Sequence, residues 1–469
     1  METWANSGLG RDLHLDLTAS GGGRAPGVRA NLVSALRESI RSGRLVAGTT
    51  LPPSRTLALD LGIARNTVAE AYSELVAEGW LTARQGSGTR VADRAGEPAR
   101  RPHTRSTAAP RPALSLMPGS PDVGEFPRAA WTASARRALT AAPNDAFGPG
   151  DPRGRPELRH ALAEYLSRAR GVRTDPDHIV VSASSGHGLW LLARAVKGPI
   201  AVEGYGLHLH RELLGDAGVS TVPLHLDNRG AQPPDATGRQ LSAALLTPAH
   251  QFPTGGPLHP GRRTAFVEWA RAADAIVIED DYDGEFRYDR QPVGALQGLA
   301  PDEVAYLGTV SKTLSPAIRV GWMVLPERLI DRVLAVKGGY ERWVSSTDQL
   351  TLADFIERGA FDRHVRRMRT LYRRRRDTLV ETLAARAPHV HVTGIAAGLH
   401  AEVDLPDGTA AATVDRAASL GLAVEGLRTF RHPDGRADRS DGLVVGYSTP
   451  SSARFSATLD ALCRALPTP

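Results

Sequence analysis

The sequence predicts an α/β protein in two parts, a small helix-rich front module and a large body on a mostly parallel sheet. Three observations carry this. Over residues 114–469, short apolar runs alternate with helical patterns, as expected when buried strands are joined by crossover helices. Positive charge is concentrated at the front: residues 1–112 hold 15 Arg against 10 Asp plus Glu, a net of +5, and the whole chain is only +6. Between the parts, residues 93–113 open with "DRAGEPARRPHTRSTAAPRP", four prolines and five arginines with little to bury. Such a composition reads as a semi-extended tether.

Composition narrows the classes. At 469 residues, 41% hydrophobic and 23% charged, the chain is an ordinary globular protein and not a disordered chain, a collagen or a coiled-coil rod. Its apolar runs, such as "LWLLARAV", fall far short of the ~20 residues of a membrane span. Residues 1–25 read as a tail without the basic and apolar regions of a secretory signal, so a cytoplasmic protein is expected. The single cysteine, Cys463, excludes an intramolecular disulfide; its place in "LDALCRAL" suits a small buried hydrophobe. Only Lys197, Lys312 and Lys337 are lysines, and the other 54 of 57 basic residues are arginine. Chemistry needing an amine therefore has three candidates.

Residues 26–92 form the front module. "VRANLVSALRESIRSGRL" puts Leu32, Leu36 and Ile40 on one helical face, ended by Gly43. Ser54 is expected to cap a short helix that stops at Gly62. "IARNTVAEAYSELVAEG" continues as a second helix, with Val68, Ala71, Tyr72, Leu75 and Val76 spaced to face a core. Two helices joined by a tight glycine turn make a helix-turn-helix. Arg65, Asn66 and Thr67 at the start of the second helix are residue types that reach bases and phosphates. "WLTARQGSGTRV" then alternates and turns at Gly86-Ser87-Gly88, a hairpin flanked by Arg84 and Arg90 that can approach a DNA backbone. Ser54, Arg55 and Tyr72 complete the candidate DNA contacts. In order, "LPPSRTLA", "LGIARNTVAEAY", "LVAEGWL" and "RQGSGTRV" resemble the winged helices of GntR-type regulators. Ala64 stands where that family usually has serine.

In the body, "HIVVSA", "GPIAVEG", "SAALLTPA", "AIVIEDD", "EVAYLGT" and "RVGWMVLP" read as strands, with helices such as "GHGLWLLARAV" between them. Ligand groups in such sheets sit beyond the carboxyl ends of the strands. Lys312 lies there, in "GTVSKTLSPAIRVGW". Its amine suits a Schiff base with an aldehyde cofactor whose phosphate is held by Thr309, Ser311 and Arg319. Lys197 and Lys337 read as helix-end charges. In "IVIEDDYDGEF" the clustered acids admit a metal site, but no histidine stands among them and Lys312 is near in the chain. The preferred reading puts Asp280 at a pyridine nitrogen and Tyr282 at the ring's phenolic oxygen, with no metal. "VSASSGHGLWLL" offers Ser184, Ser185 and Gly186 at a helix start for phosphate, and "LTPAHQFPTGGPL" places His250 or Gln251 near the cleft.

These segments resemble fold-type I, pyridoxal-phosphate-dependent aminotransferases, with a mostly parallel central sheet and a smaller C-terminal α+β subdomain at about 346–469. With the front module, the chain resembles the MocR/GabR regulators over roughly residues 26–460. The strings that carry this include "LTPAHQFPTG", "IEDDYDGEFRY", "ALQGL" and "YLGTVSKTLSPAIRVGW". The resemblance implies pyridoxal 5'-phosphate on Lys312, Asp280 at the pyridine nitrogen, Arg319 at the phosphate, and a head-to-tail, domain-swapped homodimer. "VEGYGLHLH" departs from the family's Glu-x-Pro-x-Tyr: Tyr205 stacks on the cofactor if the loop is one residue shorter, and Leu207 takes its place if it is not. For an effector carboxylate, Arg428 is the first candidate and Arg431 the second. The expected function is a DNA-binding transcriptional regulator that senses pyridoxal phosphate or an amine or amino acid, and controls vitamin B6 or amino-acid metabolism genes. The alternative is a working aminotransferase that carries a DNA-binding domain.

Overall fold

The computed structural model describes residues 27–84, 88–93, 112–235, 240–288, 293–339, 343–436, 439 and 441–468. The chain divides into two compact units, residues 1–110 and 111–469.

In the first unit, α1 (Val28–Arg41), α2 (Ser54–Leu61) and α3 (Arg65–Ala77) are followed by the antiparallel pair β1 (Leu81–Arg84) and β2 (Gly88–Val91). The helices meet because their apolar faces have no other cover: Leu32, Val33, Leu36, Leu57, Val68, Leu75, Leu81 and Val91 form one core. Gly62 closes α2 at φ 64°, a left-handed conformation that costs a glycine little. Two expectations are corrected. Ser54 does not cap α2; Pro53 holds that place and Ser54 is the first helical residue, with no side-chain cap. Tyr72, counted among the DNA contacts, is not on the surface. Its ring is buried and its hydroxyl donates to the Pro52 carbonyl at 2.9 Å, because its position on α3 is in register with Val68 and Leu75.

The second unit opens with β3 (Leu114–Ser115), α4 (Arg128–Ala141) and α5 (Pro156–Arg170). There follow β4 (Ile179–Ser182), α6 (Ser185–Val196), β5 (Ile200–Glu203), α7 (His208–Asp216), β6 (Thr221–Leu224), the short pair β7 (Leu226–Asp227) and β8 (Gly230–Ala231), and β9 (Ala243–Leu246). Then come α8 (Pro260–Ala272), β10 (Ile276–Asp280), β11 (Val304–Thr309), β12 (Gly321–Val324), α9 (Glu327–Lys337), α10 (Ser346–Glu357) and α11 (Ala360–Arg386). The central sheet has seven strands in the order β4-β12-β11-β10-β9-β5-β6. It is parallel except for β12, which runs antiparallel to both its neighbours. The six strands read from the sequence are all in it. β6 was not read because Pro223 interrupts the run, and a proline is tolerated there since β6 is an edge strand.

The chain ends with β13 (His391–Thr393), β14 (Ala401–Asp404), α12 (Ala410–Ser419), β15 (Leu422–Ala423), β16 (Glu425–Gly426), β17 (Gly442–Val445) and α13 (Phe455–Ala465). An antiparallel sheet, β13-β14-β17-β16, carries its own core with α11, α12 and α13. This smaller subdomain does not begin at residue 346. α10 packs on α4 and α5, and Phe361 and Val365 at the start of α11 belong to the large core. Tyr372, Leu379 and Leu383 further along α11 belong to the small one. β3 returns from the start of the unit to pair with β15.

Beneath the central sheet's carboxyl edge, Arg170 grips Asp281 at 2.6 and 3.0 Å with both side chains buried. The Tyr306 hydroxyl also donates to Asp281 at 2.9 Å. Removing one partner of such a pair strands the other charge. Arg170→Met should therefore lower the unfolding free energy of the body by about 3–5 kcal/mol in a denaturant titration; a loss well under 1 kcal/mol would mean that Asp281 is held by Tyr306 alone.

Candidate functional site

A cavity of about 930 Å³ opens beyond the carboxyl ends of the parallel strands, where β5 ends in Glu203, β10 in Asp280 and β11 in Thr309. Its lining includes Lys312, Asp280, Tyr282, Ser185, Gly186, Thr309, Ser311 and Arg319. Eight of the ten residues expected to hold a cofactor thus share one space.

One end of this space is built for an anion. Thr309 pairs with Gly321 across β11 and β12, and the Thr309 hydroxyl lies 2.9 Å from that of Ser311. Gly321 in turn lies against the Ser184 turn so closely that a Cβ there would come within 2.7 Å of the Ser184 backbone; only glycine permits the approach. The start of α6 therefore lies beside the Thr309–Ser311 hydroxyls. The Ser184 hydroxyl accepts from the His187 amide at 3.0 Å and caps the helix, so it is already committed. Arg319 is exposed, and among the described residues no acid pairs with it.

The other end holds a carboxylate and an amine. Asp280 is 4% exposed, and its Oδ1 has no hydrogen-bond partner. Burial raises its pKa to about 7, opposed by the charge of Lys312. A buried acceptor oxygen without a donor is costly, and the N–H of a protonated pyridine ring would satisfy it. The Lys312 amine donates to the Gly119 carbonyl, and burial lowers its pKa, opposed by Asp280 and Asp283. The other two lysines are elsewhere. Lys197 is exposed. Lys337, expected as a helix-end surface charge, is buried, and its amine donates to the carbonyls of Pro152 and Val181 at 2.5 and 2.7 Å; burial lowers its pKa to about 8.

Three expected residues lie outside the cavity. Tyr205 is packed with Phe252, Tyr282, Leu427 and Phe430, and Leu207 is the one of the two that lines the cavity. His250 is buried behind Tyr282. Its Nδ1 lies 2.8 Å from Asp283 and 3.1 Å from the Tyr282 hydroxyl, so it touches a lining residue and not the space itself. Arg428 is exposed and paired with Asp441 at 2.8 Å, and it is not part of the lining. His400 joins His250 and Asp283 in a buried group whose donor atoms lie within 4.8 Å of one another. The 2.8 Å contact is tighter than the roughly 3.3 Å between ligands on a tetrahedral zinc with bonds of about 2.0–2.1 Å, and it reads as a hydrogen bond.

Two basic lining residues on α7 had no place in the sequence reading. His210 Nε2 is 3.5 Å from Asp280, and burial together with the charges of Lys312 and Arg211 lowers its pKa to about 4. Arg211 is its neighbour. The only signal for either was the basic run "HLHREL" directly after a strand.

In the front unit, Arg55, Arg65, Asn66, Gly88 and Arg90 are exposed, while Ser54 and Thr67 are half-buried. The start of α3 has no side-chain cap. Gly86 and Ser87 lie outside the described residues; of Arg84 only the backbone pairing with Gly88 is described.

Two family models match: "Bacterial regulatory proteins, gntR family" over residues 29–91, and "Aminotransferase class I and II" over residues 117–417. The chain is 35% identical over 429 residues to the HTH-type pyridoxine biosynthesis transcriptional regulator PdxR of Corynebacterium glutamicum, covering 90% of this chain and 92% of that one. It is 36% identical to the probable rhizopine catabolism regulatory protein MocR of Rhizobium meliloti, covering 74% and 76%. The chain belongs to the MocR/GabR family of transcriptional regulators. It is also 30% identical to the HTH-type transcriptional regulator TauR of Rhodobacter capsulatus, covering 94% and 98%. Among solved structures, an archaeal alanine:glyoxylate aminotransferase matches with a TM-score of 0.68 at 22% identity, covering 75% of this chain and 90% of that one. The body has the aminotransferase fold of a pyridoxal-phosphate-dependent family, and the front is a GntR winged helix of a DNA-binding regulator. No helix among the described residues is long and apolar enough to cross a membrane.

Buried Asp280 makes the cofactor-free protein sensitive to pH. Its folded pKa is about 7, above the ordinary value near 4. Between those values the folded form holds a proton that the unfolded form has released, so this contribution to stability is complete below the window and lost as pH rises through it. Without cofactor, the melting temperature should fall between about pH 4 and about pH 7, and Asp280→Asn should reduce that fall. An undiminished fall in the variant would locate the effect in Glu203, Glu279 and Glu285, all also raised to about 7.

Proposed function

We propose that the body is the sensor of this regulator: it holds pyridoxal 5'-phosphate and responds to that cofactor or to an amine or amino acid, while the winged helix holds DNA. The observation that carries this reading is Asp280 Oδ1, a buried carboxylate oxygen without a donor in the cavity that Lys312 also lines. Bound pyridoxal phosphate supplies an aldehyde for a lysine amine and a ring that withdraws electrons when its nitrogen is protonated. The chain's own residues fit that group at every pole. Asp280 receives the ring N–H, and its proximity to His210 keeps it in place. Thr309, Ser311, Ser185, Gly186 and Arg319 hold the phosphate. Tyr282 faces the ring's phenolic oxygen, with His250 behind it. Lys312, its pKa lowered by burial, supplies the amine in a form able to react.

In the front unit, Arg65, Asn66 and Thr67 at the start of α3 read the major groove, and Arg55, Arg84 and Arg90 contact phosphates. The working form is a cytoplasmic head-to-tail homodimer. A ligand shifts the regulator only by binding two arrangements of its parts unequally. Relatives named for pyridoxine biosynthesis and rhizopine catabolism support control of vitamin B6 or amino-acid metabolism genes. Sensing is favoured over turnover by the DNA-binding front unit and by relatives that are named as transcriptional regulators; Arg428, the first candidate for a carboxylate clamp, is paired with Asp441 outside the cavity.

Two measurements test the reading. Purified protein given pyridoxal phosphate should gain visible absorption, and Lys312→Ala should not; a chain that stays colourless has no such sensor. In gel shifts on the DNA upstream of its own gene, Arg65→Ala should weaken binding by about 1–3 kcal/mol, or roughly 5- to 150-fold. Steady multiple turnover with amino donors and keto acids would favour the enzyme instead.

A further inference from the structure

Behind Tyr282, outside the cavity, lies a buried polar group that does not itself line the ligand space. It is drawn from three segments: His250 in the loop after β9, Tyr282 and Asp283 just beyond β10, and His400 just before β14. All four side chains are buried. They pack so closely that the chain beside them must be glycine. At Gly398, where φ is 76°, a Cβ would come within 2.2 Å of the His250 ring and 2.5 Å of Asp283 Oδ2. Gly398 is itself held, its carbonyl accepting from the Tyr288 hydroxyl at 2.5 Å and the Tyr447 hydroxyl at 2.7 Å. Polar groups buried this deeply are costly unless each finds its bond, so the direction of every bond in the group matters.

Groups that only accept fix those directions. Asp283 as a carboxylate accepts, so its 2.8 Å contact places a proton on His250 Nδ1. The same N–H lies 3.1 Å from the Tyr282 hydroxyl oxygen. A protonated Nδ1 has no lone pair, so it donates to that oxygen and does not take its hydrogen. The Tyr282 O–H reaches the His250 carbonyl only at 3.2 Å, with Asp283 also near. By engaging Asp283 Oδ2, His250 keeps that carboxylate from capturing the Tyr282 hydrogen. The phenol keeps its proton, since burial and then the charge of Asp283 push its pKa up; Asp280 and Tyr447 beyond β17 act in the same sense. His400 Nε2 meets the Pro253 carbonyl at 3.1 Å, and burial followed by the charge of His250 lowers its pKa, so His400 stays neutral beside the pair. Across the cavity, Lys312 faces Asp280 and Asp283, and His210 lies by Asp280.

We propose that His250, its proton fixed on Nδ1 by Asp283, is a positioning residue: it donates to the Tyr282 oxygen, aims the Tyr282 O–H at the phenolic oxygen of the bound cofactor, and so sets the pH at which the loaded Lys312 nitrogen takes up its proton. The inference rests on the sensor reading above and goes one layer behind it. Donors in series polarise one another, each strengthening the next. A hydrogen bond to the phenolic oxygen favours its anion, and the nearby nitrogen then holds a proton less tightly. The loaded protein therefore changes colour at a lower pH than it would without His250.

The test uses the full chain saturated with pyridoxal phosphate, its visible absorption followed against pH. His250→Gln, whose N–H stands where Nε2 was, and His250→Leu should each raise the midpoint by about half to one pH unit, a roughly three- to tenfold gain in proton affinity. His250→Asn, whose N–H stands near the Nδ1 position, should stay close to the wild-type value. Tyr282→Phe should raise the midpoint at least as far, and in that background His250→Gln and His250→Leu should add nothing. Asp283→Asn alters a charge as well as a bond, so it is read by difference: its effect should be more upward in the wild-type background than in Tyr282→Phe. A midpoint that neither His250→Gln nor His250→Leu moves, or that they move as far in Tyr282→Phe as in the wild type, overturns the proposal. Failure of the sensor reading looks different: the wild-type chain would show no absorption to follow.

Discussion

Five carboxylates stand in the seven residues Glu279–Glu285, and all five are buried. Uncompensated, each would cost several kcal/mol, so the body can fold this way only if each one is met. Glu279 accepts from the Leu296 and Gln297 amides. Asp281 takes Arg170 and Tyr306. Asp283 takes His250, and Glu285 lies within reach of the Tyr165 hydroxyl. These partners come from elements more than 100 residues away as well as from nearby turns, and their convergence fixes the carboxyl end of β10. Asp280 is the exception. One of its oxygens lies toward His210 and the other has no donor. The surrounding order makes that single deficit specific, since four satisfied neighbours leave no spare donor that could turn toward it. A ligand N–H then gains what the protein left unmade.

The same logic extends to the rest of the cavity. Opposed to the carboxylate end is a cluster of hydroxyls, a helix start and Arg319, arranged by the antiparallel strand β12, which brings Gly321 against the Ser184 turn. The separation between these poles is built into the sheet and does not depend on loops. The wall that joins the large and small subdomains is built differently. It combines backbone hydrogen bonds and the Arg211 guanidinium on neutral carbonyls with a buried cluster of Tyr205, Phe252, Tyr282, Leu427 and Phe430.

Much of this was legible in the chain. Lys312 and Asp280 could be found because both follow strongly apolar strands, and in a parallel sheet the strand end locates the cleft. Six strands were readable because their burial on both faces makes them continuous apolar runs. What failed did so for identifiable reasons. Tyr72 was counted among the DNA contacts from its place in the motif although its spacing with Val68 and Leu75 already faced the core, and the core is where its ring lies. Arg428 was the first candidate for an effector carboxylate from the resemblance of its stretch to the family, whereas Asp441 pairs with it outside the cavity. Lys337 resembled a helix-end charge, but two carbonyls near the sheet take its amine inward. His210 and Arg211 were passed over since a short basic run after a strand has no distinctive pattern.

Local sequence alone determined the elements and their kind: period-two and period-3.6 spacing, the glycine stops, the rarity of lysine and the acid run after β10 are all properties of neighbouring residues. Only the tertiary structure decided which acid goes unmatched, which arginines line the cavity and where the two subdomains meet. Those outcomes depend on partners such as Arg170, Phe430 and Arg431, whose distance along the chain bears no relation to their distance in space. A buried charge is defined by whatever the fold brings to it, and no stretch of sequence contains that information by itself.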